Sequence, residues 1–129
     1  MRMLALAVML LALLAPAVSR AETTWRWNAL DYSLEAAFLG AAALDWTYTL
    51  EGTQHRDRYN GVTEWNPILG KTPSRARVNT MIPLAMVGHA AVAAALPHGF
   101  WRTAWQASWT YVELDAARQW WALGVALRF

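Results

Sequence analysis

Glu64, His89 and Asp45 are the side chains whose chemistry and placement could serve catalysis: two carboxylates and an imidazole, the set a hydrolytic site would use to move a proton to and from a reacting group. Their spacing matches no metal-ligand motif, and His55-x-Asp57 adds only a short, unspecific pair, so no metal or cofactor is expected. There is no cysteine, no Ser/His/Asp signature and no phosphate-binding loop, which removes thiolate chemistry and a disulfide framework. The same polar residues have a plain structural reading. A charge carried into a packed interior needs a partner whatever the protein does. Helix levels counted from the loop pair Asp45 with Arg118, with Asn79 and Glu64 as neighbours. A third reading is a binding surface, in which Tyr59 and Trp65 are aromatic anchors beside Glu64 and Asn66.

Three helices must position these groups, because the apolar residues recur at helical rather than strand spacing. The first helix is expected over Asn28–Leu50, with Leu30, Leu34, Phe38 and Ala41 on its buried stripe, Asp45 continuing it, and Gly52 as its C-terminal cap. The second is expected from Pro73, capped by Thr72, to Leu96. Its stripe is Val78, Ile82, Met86, His89, Val92 and Leu96, and Pro83 withholds one backbone bond from the carbonyl of Asn79. The third runs from Phe100 along Trp101, Trp105, Trp109, Val112, Ala116, Trp120, Leu123 and Leu127. Between the first two lies "YNGVTEWNPILGKTPSRARVN", whose Asn60-Gly61, Asn66-Pro67, Leu69-Gly70 and Thr72-Pro73 steps break any regular element and stiffen the segment. A polar connection of this size is a structured loop rather than a spacer.

The 57% hydrophobic and 16% charged composition leans towards a bilayer. Residues 1–21 read as a secretory signal peptide, with Arg2, an apolar run from Leu4 to Val18, and small residues before Glu22; residues 22–129 form the single helical domain. Removing 1–21 takes Arg2 and Arg20 from eleven basic residues and leaves nine against nine acidic ones, so the mature chain is neutral and nucleic acid is not an expected partner. Val78–Leu96 has no formal charge and spans roughly 28 Å as a helix, close to the ~30 Å of a hydrocarbon core. Asp31, Glu35, Asp45, Glu113, Asp115 and Arg118 interrupt the other two helices. Tryptophans stand near the helix ends, and Arg56, Arg58, Lys71, Arg75 and Arg77 collect in the first loop, as the positive-inside bias places a cytoplasmic loop. A soluble periplasmic bundle is the alternative architecture. The ending "WALGVALRF" alternates like the last strand of an outer-membrane barrel, although a barrel needs about eight such segments.

"ALDWTYT", "EWNPILGKTPSRARVN", His89 and "LPHGFWRTAWQ" resemble a family of small exported proteins of bacteriophages and prophages in Gram-negative bacteria. The resemblance covers Ala43 to Trp105, and Glu64-x-Asn66-Pro67-x-Leu69-Gly70 is its most specific piece. It implies a phage context and assigns no catalytic residue. The expectation is therefore an all-α protein: a signal peptide, then a three-helix membrane-associated bundle with a long structured loop. Its partners would be the lipid bilayer, an envelope or phage protein, and a second copy of itself. The inner membrane is the expected site, the periplasm and outer membrane the alternatives. A membrane or periplasmic hydrolase using Glu64, His89 and Asp45, or a barrel-like outer-membrane protein, are the competing functions.

Overall fold

The computed structural model describes residues 26–127, so the signal-peptide segment lies outside the described residues. Among them are three α-helices, α1 (Ala29–Gln54), α2 (Arg75–Ala95) and α3 (Phe100–Ala122), and a 3-10 turn at Arg56–Tyr59. The all-helical expectation holds. The last alternating segment is not a strand over its described part: the chain turns after Ala122 and buries Val125 against Tyr59 and Trp120, while residues 128–129 lie outside the described residues. The barrel alternative is thereby corrected, since the backbone groups a barrel needs for its ladder are spent inside helices.

Helix α1 begins at a capping box: the Asn28 side chain accepts from the Asp31 amide at 2.9 Å, and the Asp31 carboxylate accepts from the Asn28 amide at 3.0 Å. It runs past the expected end at Leu50 and through Gly52, which is no cap. Glycine is needed there for space, because an added Cβ would stand 2.5 Å from the Trp120 ring. Helix α2 starts two residues later than expected. Ser74, not Thr72, is its N-cap, accepting from the Arg77 amide at 3.2 Å, and Pro73 is buried just ahead of the cap. Leu96 caps its far end before Pro97.

Helix α3 packs most extensively on α1, and α2 closes the bundle over both. The buried faces differ from the expected ones in a consistent direction. On α1, Leu30 is exposed, whereas Asp31 and Glu35 are buried beside Phe38, Ala41, Ala42 and Thr49. On α3, Trp101 and Leu123 are exposed, whereas Arg102 and Gln106 are wholly buried beside Trp105, Ala117 and Trp120. Helix α2 and its cap keep half of the expected stripe, with Val78, His89 and Leu96 buried, Ile82 and Met86 half-buried and Val92 exposed. Charged groups thus join the apolar core, while large apolar side chains stand outside.

Candidate functional site

The interior polar groups fall into two clusters, one at each end of the bundle. At the end away from the long loop, Asp31 is a junction. Its Oδ2 receives the Arg102 guanidinium at 3.1 Å and faces His98 Nδ1 at 3.2 Å, besides holding the start of α1. Arg102 also donates to the Leu96 carbonyl at 2.7 Å, so one guanidinium ties α3 to the beginning of α1 and the end of α2. One turn deeper, Glu35 accepts from Gln106 Nε2 at 3.0 Å and meets His89 Nδ1 at 3.0 Å. His89 lies stacked on Phe38, with ring centroids 3.6 Å apart, and beside Trp105, whose indole donates to the His89 carbonyl at 3.2 Å. Each helix supplies a member: Asp31 and Glu35 from α1, His89 from α2, Arg102 and Gln106 from α3. His89 Nε2, Gln106 Oε1 and Arg102 Nε are buried with no hydrogen-bond partner.

The second cluster lies under the loop. Glu64 folds back on its own turn: Oε1 accepts from the Trp65 amide at 2.8 Å and the Asn66 amide at 2.7 Å, and Oε2 accepts from the Thr49 hydroxyl at 3.3 Å. Thr49 in turn accepts from the Trp120 indole at 3.1 Å. Asn66 Oδ1 accepts from the Ile68 amide at 2.9 Å, and the Asn66 carbonyl accepts from the Gly70 amide at 2.9 Å. Gly70 sits at φ 83°, a left-handed backbone that favours glycine. Arg77 reaches back from α2 to the Ile68 carbonyl at 2.7 Å, and Leu69 is buried. The turn "EWNPILG" is thus fixed by its own side chains and pinned to α1 and α2. Beneath it lies a cavity of about 60 Å³, bounded by Phe38, Met86 and Leu69 and carrying Asp45, Glu113 and Asn66 on its polar side.

The candidate residues are therefore divided rather than gathered. Glu64 and Asp45 share the loop end. His89 belongs to the other cluster through Glu35, so the three do not form one hydrogen-bonded constellation. The expected Asp45–Arg118 pair is corrected: Arg118 is an exposed residue that bonds Asp115 on its own helix at 2.8 Å, and Asp45 Oδ1 is buried without a partner. Glu113, not Arg118, is the α3 residue that shares Asp45's cavity, and Trp120, two residues after Arg118, meets Thr49 and Gly52 further along α1, so Arg118 is both nearer the loop and turned outward. Asn79 is likewise outside that cluster, accepting from the Trp46 indole at 3.0 Å on an exposed face. Tyr59 is not a surface anchor; it is buried and donates to Glu51 at 2.9 Å. Trp65, at 68% exposed, does stand on the surface, and Asn66 beside it is exposed.

Near the loop-side ends of α3 and α1, Asp115 and Glu51 titrate below their ordinary values. The Arg118 hydrogen bond holds Asp115 below the usual carboxylate range. Burial works to raise Glu51, but the Tyr59 hydroxyl and the His55 and Arg58 charges outweigh it and hold that carboxyl low.

Sequence reasoning missed Asp31, Glu35, Arg102, Gln106 and Glu113 as interior residues. A signal was present: Asp31, Glu35, Phe38, Ala42, Asp45, Thr49 and Gly52 recur at steps of four and three, so the polar residues share the helical period with small ones. No group of three His, Asp or Glu side chains among the described residues stands close enough to share a metal ion. No family model, characterised protein or solved structure matches the chain, which leaves the functional reading to the geometry.

Proposed function

We propose that this protein is an integral membrane three-helix bundle that acts by interaction, presenting its rigid loop at one membrane surface to envelope or phage components. One observation carries the reading: along the helices the charged groups are turned inward and the outward face is uncharged and rich in large apolar side chains. Over α1 from Ala29 to Leu50, α2 from Val78 to Ala95 and α3 from Phe100 to Leu114, no exposed residue carries a charge. Leu30, Leu39, Leu44, Leu84, Val87, Val92, Tyr111 and Leu114 face outward, while Asp31, Glu35, His89 and Arg102 are buried among one another. A water-soluble bundle orders its residues the other way, since exposed apolar area costs about 25 cal/mol per Å² and buried charge costs more. In hydrocarbon the arrangement is the favourable one, with the charges paired away from lipid.

Helix lengths agree: 26, 21 and 23 residues correspond to roughly 39, 32 and 35 Å, each enough for a core of ~30 Å. By composition alone only α2 qualifies as a span, with an 18-residue window of mean hydropathy 1.5; just 22% of that window is buried within the protein, unlike the core helix of a soluble domain. Helices α1 and α3 fall short on composition because their interior charges count against them. Five of the six exposed cations among the described residues collect at the loop end, with Arg26 alone at the other, which supports placing the loop end in the cytoplasm and the protein in the inner membrane.

The phage setting rests on the resemblance of "EWNPILGKTPSRARVN", and export on residues 1–21. Expression of the full chain in a Gram-negative host followed by alkaline carbonate extraction tests the architecture. The protein is expected in the membrane pellet; its release with peripheral proteins, or by osmotic shock, would overturn the reading.

A further inference from the structure

We infer that the loop face is a docking surface for anionic phospholipid headgroups, an inference that rests on the membrane reading above. Arg58, Lys71, Arg75, Arg77 and Arg118 are exposed at this end of the bundle. Against them stands one exposed acidic side chain among the described residues, Asp57; every other described carboxylate is buried or half-buried. The neutral total charge of the mature chain therefore conceals a separation, with the acids mostly turned inward and five of the six exposed cations among the described residues at this one end, Arg26 alone standing at the other. Arg58 and Arg118 are engaged by Glu51 and Asp115. Lys71 and Arg75 hold no carboxylate among the described residues.

Two features select a lipid surface over another polyanion. The cations sit where the charge-free belt of α2 begins, at Val78, which in a bilayer is the depth of the phosphates. Beside them, Trp65 and Ile68 are 68% and 57% exposed on a turn that is otherwise hydrogen-bonded to itself. An indole and an aliphatic side chain held next to ammonium and guanidinium groups fit the boundary between acyl chains and headgroups; a nucleic-acid face would need a broader basic surface without that apolar edge. Arg75 and Arg77 also occupy the first turn of α2, which has no acidic residue, so their charges add to the positive end of the helix dipole until an anion stands opposite.

The test titrates the purified full chain in neutral detergent micelles with phosphatidylglycerol or phosphatidylcholine and reads tryptophan fluorescence. Each cation near an anionic surface favours binding by roughly fivefold. Lys71 and Arg75 alone therefore give phosphatidylglycerol a preference of about 25-fold, which fades at ~1 M salt, where the Debye length is ~3 Å. The Lys71→Gln/Arg75→Gln variant should lose that factor of about 25 while its response to phosphatidylcholine stays unchanged. Equal binding of the two lipids, or an undiminished preference in the variant, would overturn the proposal. So would displacement of phosphatidylglycerol by millimolar inorganic phosphate, which would assign the patch to the free ion. Failure of the membrane reading shows separately, as a protein that carbonate strips from vesicles of phosphatidylcholine alone.

Discussion

Substituting alanine for glycine at two positions of the same helix should move stability in opposite directions. At Gly52 an added Cβ meets Trp120 Cζ3 at 2.5 Å and Cε3 at 2.8 Å, well inside any contact a real Cβ makes, and Trp120 is only 5% exposed. The ring must shift, and overpacking of this kind costs about 1–3 kcal/mol. The shift also pulls the indole from the Thr49 hydroxyl, adding about 1 kcal/mol. Alanine returns about 1 kcal/mol of helix propensity, so Gly52→Ala should destabilise by about 1–3 kcal/mol. Gly40 is exposed and has nothing within 4 Å of the same atom, so Gly40→Ala keeps only the gain, about 0.5–1 kcal/mol. Thermal unfolding in detergent, followed by near-ultraviolet circular dichroism, reads both. At roughly 4–8 °C per kcal/mol for a domain of this size, the variants should separate by well over 5 °C, with wild type between them. A Gly52→Ala protein as stable as Gly40→Ala would mean that Trp120 does not lie against α1.

Three other outcomes are expected. Arg102→Leu strands the Asp31 carboxylate and should cost about 3–5 kcal/mol, whereas adding Asp31→Asn, which keeps the capping acceptor, should restore more than 1 kcal/mol of it in chemical denaturation; additive costs would dismiss the pairing. Limited trypsin digestion of the folded protein should cut at Arg58 well before Lys71, Arg75 or Arg77, and Glu64→Ala, which removes the acceptor for the Trp65 and Asn66 amides, should speed cleavage after Lys71 about tenfold, the equivalent of ~1.4 kcal/mol. Asp115 and Glu51 are held low in the folded state, so their stabilisation is present above the ordinary values of 3.8 and 4.5 and is lost as pH falls through the folded ones. Asp115→Asn/Glu51→Gln should then flatten the acid side of a melting-temperature profile while leaving its neutral part parallel to wild type.

The helices and the loop were legible because both are written in local chemistry. Period, Pro97, the Asn66-Pro67 and Gly70 punctuation and the α3 start at Phe100 needed no tertiary knowledge, and the elements fell within a few residues of their expected ends. The ends that moved did so for reasons beyond the local sequence. Gly52 has the composition of a cap, yet it serves the Trp120 ring from 68 positions away. The choice of buried face follows less directly, because apolar periodicity alone does not say which side of a helix its charged residues join. The stripe drawn through the apolar residues puts Leu30 inside and treats Asp31 and Glu35 as interruptions, whereas Asp31, Glu35, Arg102 and Gln106 are inside and Leu30 is exposed. Asp45 was found because it lies on the continuation of either stripe. Its pairing with Arg118 fails because both the register of α3 against α1, which brings Glu113 to Asp45, and the direction around the axis need the packing itself.

The Asp31–Arg102 junction bears on how such a chain could be assembled. Its acid lies near the beginning of α1 and its base near the beginning of α3, 71 positions later. During synthesis into a membrane the first helix would emerge carrying Asp31 and Glu35 with neither Arg102 nor His89 yet made, and such a segment is a poor substrate for release into lipid. Insertion would then wait for the whole hairpin and its third member, and the chain would commit to the bilayer as one cooperative unit rather than helix by helix. A nascent chain stopped before Phe100 would hold Asp31 with no guanidinium to meet it and Glu35 with His89 but not Gln106, which would make the last helix the licence for the first.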